Sequence, residues 1–135
     1  MANKLPVPTE SEEQITLFQW AQFRRGKYPE LDLLFHVPNG GSRNKAEAGR
    51  LQAEGVKAGV PDICLPVPRG RYHGLYIELK RRRGGRIDPA QTIWLEALMK
   101  QGYSVAICRG WEAASEVILN YLEGENNGEK TNGTI

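Results

Sequence analysis

The chain has 135 residues and a formal net charge of +2 at pH 7, from 18 Lys and Arg residues against 16 Asp and Glu residues. This length fits one domain with a single core, and no apolar run approaches the roughly 20 residues of a membrane helix, so we expect no membrane partner. Residues 1–6 lack the apolar centre of a signal peptide, which predicts a cytoplasmic location, in a bacterial cell or a phage-infected host.

The first predicted element is a helix that begins after Thr9. Thr9 and Glu12 have the spacing of a capping box, and Leu17 belongs to an apolar face that continues toward Gly26. Capping explains Glu12, whereas Glu13 lies closer to the apolar face. We therefore prefer Glu13 as the acid of this helix that points toward a sheet. Residues 1–9 are predicted to form an N-terminal extension.

A short strand at residues 33–37 and a turn at residues 38–42 come next, followed by a helix at residues 45–54 that Gly55 ends. His36 stands before the turn, where a lone imidazole is more typical of a structural hydrogen bond than of catalysis. Asn39 is more typical of a tight turn than of a phosphate cradle. Both residues are kept as secondary substrate contacts.

Two strands at residues 62–67 and 75–80 are predicted to pair antiparallel through a hairpin loop at residues 68–71. Because side chains alternate along a strand, Glu78 and Lys80 share one face, and Asp62 on the paired strand can join them. Two carboxylates beside a lysine suit a hard divalent cation and the activation of water. The simpler alternatives are an Asp62 that only starts a strand and a Glu78–Lys80 ion pair on a solvated face.

A third helix is predicted to begin at Pro89, with Asp88 as its N-cap, and to end before Gly102. Gln91 allows two interpretations. It can close a capping box with Asp88, or its amide can point to the core-facing side and orient Lys80 or a metal-bound water. The sequence leaves both open.

A buried strand at residues 103–108 and a helix at residues 111–123 complete the order α-β-α-β-β-α-β-α. This order predicts an α/β domain over residues 10–123, with a mixed central sheet flanked by helices. Cys64 and Cys108 lie in apolar segments without metal-ligand spacing, which predicts two buried free thiols. Residues 124–135 are rich in Gly, Asn, Glu and Lys and are predicted to be a disordered tail.

Pro61-Asp62 followed by Glu78-Leu79-Lys80 resembles the signature of the PD-(D/E)XK nuclease superfamily. With the segments at residues 36–41 and 55–62, and with Gln91 and Trp94, the chain resembles the VRR-NUC family, in particular its compact phage and bacterial members. The resemblance covers roughly residues 10–122. It implies a restriction-endonuclease-like core, and it implies that compact members look like Holliday-junction resolvases acting as homodimers.

The resemblance implies a Mg²⁺- or Mn²⁺-dependent endonuclease that hydrolyses phosphodiester bonds in DNA, with branched, four-way DNA as the first choice of substrate. Asp62 and Glu78 would hold the cation, with the Leu79 carbonyl and, through water, Glu13. Lys80 would position the attacking water or balance the charge that develops on the phosphate, and Gln91 would hold Lys80 in place. The alternatives are a nickase or flap nuclease on the same fold, or a non-catalytic DNA-binding module, against which the acids argue.

Basic residues cluster after the lysine of this signature. Five cations fall within residues 80–86, and two more lie in the preceding hairpin loop. Phosphate contacts of this kind hold DNA without reading its sequence, although the alternative is a solvated loop. The predicted DNA-binding residues are Arg81, Arg82, Arg83, Arg86, Arg69 and Arg71, with His36 and Asn39 as secondary contacts.

Overall fold

The computed structural model describes residues 5–38 and 44–124. The predicted order of helices and strands is confirmed, with one 3₁₀ helix added. The elements are α1 (Glu10–Arg24), the 3₁₀ helix (Pro29–Leu33), β1 (Phe35–His36), α2 (Lys45–Ala53), β2 (Ile63–Leu65), β3 (Leu75–Lys80), α3 (Pro89–Lys100), β4 (Ser104–Arg109) and α4 (Trp111–Glu123).

Side-chain caps define where α1 and α3 begin. The Thr9 hydroxyl accepts from the Glu12 amide at 3.1 Å, and the Glu12 carboxylate accepts from the Thr9 amide at 2.8 Å. Asp88 and Gln91 form the same reciprocal pair at the start of α3. Each pair satisfies two amides that a helix start would otherwise leave open, so both predicted helix starts are confirmed.

The four strands form one mixed sheet in the order β1-β2-β3-β4. The pairs β1–β2 and β2–β3 are antiparallel, whereas β3 and β4 run parallel because α3 carries the chain back between them. Ile63 pairs with Ile77, and Glu78 pairs with Ile107. Because Asp62 directly precedes Ile63, the register brings Asp62 beside Glu78.

The two faces of β3 have different surroundings. Leu75, Ile77 and Leu79 are buried in a core with side chains of α1 and α4, such as Leu17 and Ile118. The alternate residues of β3 point to the other face, over which α3 lies. This division leaves the polar side chains of β3 beneath the start of α3.

The strand predicted at residues 33–37 is shorter than expected. Leu33 ends the 3₁₀ helix, and the Leu34 amide donates to the Leu31 carbonyl at 3.2 Å, so pairing begins only at Phe35. Pro38 has no amide to continue the ladder. The first predicted strand of the hairpin is likewise reduced, from residues 62–67 to Ile63–Leu65.

Three features predicted from the sequence involve residues outside 5–38 and 44–124. Asn39, most of the predicted turn and residues 125–135 of the predicted tail lie outside the described part of the chain. Cys64 and Cys108 are both free and buried. Within residues 5–38 and 44–124, every helix is too short or too polar to cross a bilayer.

Candidate functional site

Asp62 is held rigidly at the start of β2. Its side chain is buried, and Oδ2 accepts a hydrogen bond from the Leu79 amide at 2.9 Å. Its carbonyl oxygen accepts from the Val37 amide at 2.6 Å. These contacts to β1 and β3 fix the carboxylate beside the last residues of β3, and the rigid Pro61 before it restricts the approach of the chain.

Glu78 carries the second carboxylate, which is only 1% exposed. Its Oε2 accepts from Gln91 Nε2 at 2.8 Å and lies 3.3 Å from Lys80 Nζ. Its Oε1 is buried and has no hydrogen-bond partner. A buried carboxylate oxygen without a partner is costly, so this atom is poised to bind an additional ligand.

Gln91 closes the predicted capping box, and its amide also points into the site, where its partner is Glu78. Its Oε1 accepts from the Asp88 amide at 3.1 Å as part of the capping box, and its Nε2 donates to Glu78. The cap fixes the orientation of the amide, so the NH₂ group must point into the site. Gln91 therefore contacts Glu78 directly, and Lys80 shares the same carboxylate oxygen from the other side.

Burial and, next, the neighbouring Asp62 carboxyl raise the pKa of Glu78 from 4.5 to about 8, while Lys80 acts in the opposite direction. The site therefore lacks the positive charge that would bring the pKa of Glu78 back to its ordinary value. A divalent cation would supply that charge.

We predict a corresponding pH dependence of stability without a divalent cation. The folded protein retains the Glu78 proton that the unfolded chain loses, so unfolding free energy should fall as pH rises between 4.5 and about 8. The slope should approach about 1.4 kcal/mol per pH unit at most. Urea denaturation across this range should show a shallower slope for Glu78→Gln. An equal slope in the variant would show that Glu78 does not cause the pH dependence of the unfolding free energy.

The donor set suits a small, oxygen-preferring cation. Asp62 and Glu78 provide two carboxylates, with Oε1 of Glu78 unengaged. Among residues 5–38 and 44–124, no three His, Cys, Asp or Glu side chains form a metal-binding group. Mg²⁺ commonly uses one or two carboxylates with water and substrate phosphate, so the pair fits Mg²⁺ or Mn²⁺ better than zinc, whose sites commonly have three or four protein ligands, mostly Cys and His.

Comparisons with known proteins agree with this geometry. A family model described as the VRR-NUC domain matches residues 9–112. The chain belongs to the VRR-NUC family. A solved structure described as a VRR_NUC domain protein is 34% identical, with a TM-score of 0.76, and the match covers 88% of this chain and 92% of that one. No curated protein sequence matches the chain. The predicted restriction-endonuclease-like α/β fold is thus confirmed, and the family is one of nucleases.

Glu13 has a different environment from the one predicted. As expected, it is buried beneath α1, but its Oε2 accepts from Arg82 Nε at 2.7 Å and its Oε1 accepts from the Trp111 amide at 3.0 Å. Both oxygens therefore bind other parts of the VRR-NUC domain. These contacts join α1 to the chain after β3 and to the start of α4, which gives Glu13 a structural role.

Glu10 is a further acid of α1 near the site, which the sequence analysis did not select. Partial burial raises its pKa, and Asp62 raises it further, while Lys80 and Arg81 lower it. These neighbours place the carboxyl group of Glu10 near the site, one helical turn before Glu13. The sequence offers one signal for Glu10, its place in the first turn three residues before Glu13, but it favours Glu13 because Glu13 lies closer to the apolar face.

Three of the predicted DNA-binding arginines are held by contacts within the protein. Arg82 pairs with Glu13 and, at 2.8 Å, with Glu112. Arg69 Nε donates to the Leu122 carbonyl at 3.0 Å, and its guanidinium also pairs with Glu30. Arg81 Nη2 donates to the Val7 carbonyl at 3.3 Å, while its Nε is buried without a partner.

The remaining candidates are more accessible. Arg83 and Arg86 are exposed in the loop after β3, on the side of the sheet where Lys80 ends the strand. Arg71 is also exposed but stands in the hairpin loop, at the opposite end of β3. His36 Nδ1 lies 3.0 Å from the Asp62 carbonyl, which supports the structural interpretation of this histidine.

Gly59 holds the approach to Asp62 against α3. Its φ is +91°, and a Cβ at this position would lie 2.7 Å from the backbone C and O atoms of Ala90. Ala90 directly precedes Gln91. Only glycine permits this contact, so the loop before Asp62 and the helix that carries Gln91 are positioned together.

We predict that Gly59→Ala will displace the first turn of α3 and lower cation affinity and cleavage by about 10–100-fold, as loss of a supporting contact does at metal sites. Gly55→Ala is the matched control, because Gly55 has a φ of +105° but open space around it. Isothermal titration calorimetry with Mn²⁺ and a cleavage assay measure both variants. Equal losses in the two would assign the effect to backbone strain alone.

Proposed function

We propose that this chain is a Mg²⁺- or Mn²⁺-dependent endonuclease that hydrolyses phosphodiester bonds in DNA. The observation that carries the proposal is the buried pair of Asp62 and Glu78, with an unpartnered Glu78 oxygen and Lys80 directly beside it. A bound divalent cation would polarise the scissile phosphate and lower the pKa of an attacking water. The protein side chains would provide the remaining positioning.

Each side chain has a defined task in this proposal. Asp62 and Glu78 hold the cation together with the Leu79 carbonyl, since the amide of the same residue donates to Asp62 and so faces that side of β3. Lys80 orients water or balances charge on the phosphate. The ion pair with Glu78 holds its ammonium group beside the carboxylates. Gln91 fixes Glu78 so that one oxygen stays free. Glu10 replaces Glu13 as the third acid, acting through water.

The exposed cations near the acids would hold the DNA backbone. We predict that the double variant Arg83→Ala/Arg86→Ala binds every DNA shape more weakly and lowers the slope of log affinity against log salt by roughly 1–2, since each phosphate contact contributes about 0.9. Fluorescence anisotropy at several salt concentrations measures this. Arg25→Ala is the control, because Arg25 is an exposed arginine paired with Asp32. An unchanged slope would mean that these arginines are merely solvated.

We further propose that the substrate is branched DNA and that the active unit is a homodimer. Each chain has one pair of acids, so two symmetric cuts in a four-way junction need two chains. A four-way junction, a flap and plain duplex, each incubated with Mg²⁺, Mn²⁺ or EDTA, distinguish the substrates. Cleavage in EDTA would reject the cation requirement, and preference for the flap would favour the flap nuclease.

The dimer has its own test. Wild-type protein co-expressed with excess Glu78→Gln should form mixed dimers that make single nicks in a junction. Paired cutting that survives this dilution, or a mass of one chain by light scattering under active conditions, would reject the dimer and favour a nickase.

A further inference from the structure

A second concave surface lies at the far end of α3 from Gln91. It is an open groove with a volume of about 460 Å³ between the hairpin loop and the last turn of α3. Its walls include Tyr72 and Tyr103, and Met99 adds an apolar side chain. The nuclease site does not include any of these residues, so the groove needs an explanation of its own.

The tyrosine walls of this groove are held in place. The Tyr103 ring meets the Tyr76 ring edge-on, with centroids 5.4 Å apart, and it meets the His73 ring in the same manner at 5.6 Å. The His73 amide also donates to the Gly102 carbonyl at 2.9 Å, which joins the hairpin to the end of α3. A groove with fixed aromatic walls is preformed for a flat ligand.

The rim of the groove is cationic. Arg71 and Lys100 line it and are exposed, and Glu96 is the acid among the lining residues. The Arg71 guanidinium lies 5.7 Å from the centre of the Tyr72 ring. Aromatic walls with positive charge at the rim are the combination that binds single-stranded nucleic acid, because bases stack on the rings and phosphates meet the cations.

The groove is close to the acids on the same face of the sheet. Tyr76 and Glu78 are two residues apart on β3, which corresponds to roughly 7 Å along the strand. Tyr103 touches Tyr76, so the groove begins within roughly 15 Å of the acids. That span corresponds to roughly two to five nucleotides, depending on how far a strand is stretched beyond its duplex spacing of about 3.4 Å.

We propose that this groove binds an unpaired nucleobase of the DNA strand that is cleaved at the site formed by Asp62 and Glu78. A base inside a duplex stack cannot enter such a groove, so the site selects DNA with a single-stranded segment a few nucleotides from the scissile phosphate. This inference rests on the proposed nuclease function. A fully paired four-way junction has no such segment, so the groove would favour the flap among the substrates considered above. Tyr103 provides the stacking surface, and Arg71 and Lys100 contact the neighbouring phosphates.

The test uses DNA binding in EDTA, so it does not depend on cleavage. A duplex with a single-stranded tail carries 2-aminopurine at successive tail positions, and its fluorescence is quenched where the base stacks. We expect quenching at one or two tail positions. Tyr103→Phe should retain it, whereas Tyr103→Leu should abolish it and weaken binding of tailed DNA about tenfold while leaving duplex binding unchanged.

The control variants separate stacking from folding. Thermal unfolding reports whether Tyr103→Leu still folds, since Tyr103 also packs on Tyr76. If it does not, Arg71→Ala/Lys100→Ala on the exposed rim decides the question, and it should weaken tailed DNA selectively. Lys27→Ala is its control, because Lys27 also lies over a tyrosine ring, that of Tyr28, elsewhere on the protein.

The outcomes distinguish this proposal from the nuclease function. Uniform quenching along the tail, or quenching that persists in a folded Tyr103→Leu protein, would reject base binding in the groove. Neither result would contradict the nuclease proposal. Position-specific quenching in a protein that cuts no DNA with any cation would retain the groove and reject the nuclease proposal for this chain.

Discussion

Asp62→Asn and Glu78→Gln should each reduce DNA cleavage roughly a thousandfold or more, because a catalytic cation contributes several kcal/mol to the transition state. Both changes preserve the size of the side chain. An amide at position 62 can still accept from the Leu79 amide, and an amide at position 78 removes a buried charge. The fold and DNA affinity should therefore be retained. Cleavage assays, calorimetry with Mn²⁺ and anisotropy in EDTA measure the three quantities.

Lys80→Met provides the contrast within the same site. It keeps the aliphatic part of a side chain that is only 6% exposed but removes the ammonium group. We expect lost cleavage with cation binding largely retained, since both carboxylates remain. If Lys80→Met loses cation affinity as severely as Asp62→Asn, the lysine supports the acids and takes no part in the reaction. Full activity in either acid variant would reject the site.

Glu13→Ala should lower the free energy of unfolding by about 1–3 kcal/mol, because it leaves the partly buried Trp111 amide without its acceptor and leaves Arg82 with only Glu112 as a partner. The loss is smaller than for a fully buried ion pair, since the Arg82 side chain is 41% exposed. Glu10→Gln should leave unfolding unchanged and reduce cleavage. Urea denaturation and the cleavage assay separate these effects.

This comparison decides which acid of α1 serves the site. A Glu13→Ala protein with wild-type stability and no Mn²⁺ affinity would restore Glu13 as a ligand and remove Glu10. Arg82→Ala is the matched variant, because it removes the other partner of the Glu13 contact. It should also lower the free energy of unfolding, but it should leave cation binding by Asp62 and Glu78 unchanged.

Local patterns predicted the fold because local chemistry determines most of its elements. The caps at Thr9 and Asp88 act within three residues, and alternation along β3 correctly placed Glu78 and Lys80 on one face. The 3₁₀ helix at Pro29–Leu33 escaped notice because a single short turn has too few residues to show a period.

Partners distant in sequence account for the differences at the site. Glu13 faces the interior as its position on α1 predicts, but the sequence does not reveal that Arg82 arrives from 69 residues away to meet it. The basic run after β3 looks uniform in sequence, yet Arg82 serves the fold while Arg83 is exposed. Charge type is visible locally, whereas charge pairing depends on tertiary structure.

The double engagement of Gln91 ties the first turn of α3 to the acids. One amide group both closes the helix cap and orients Glu78, so fraying of this turn also releases the carboxylate. Local opening of a helix end is an ordinary fluctuation in folded proteins. Here it would switch the site between a state in which Glu78 is positioned to bind a cation and a state in which it is not. A ligand that draws Glu78 into place would in return slow hydrogen exchange at the start of α3.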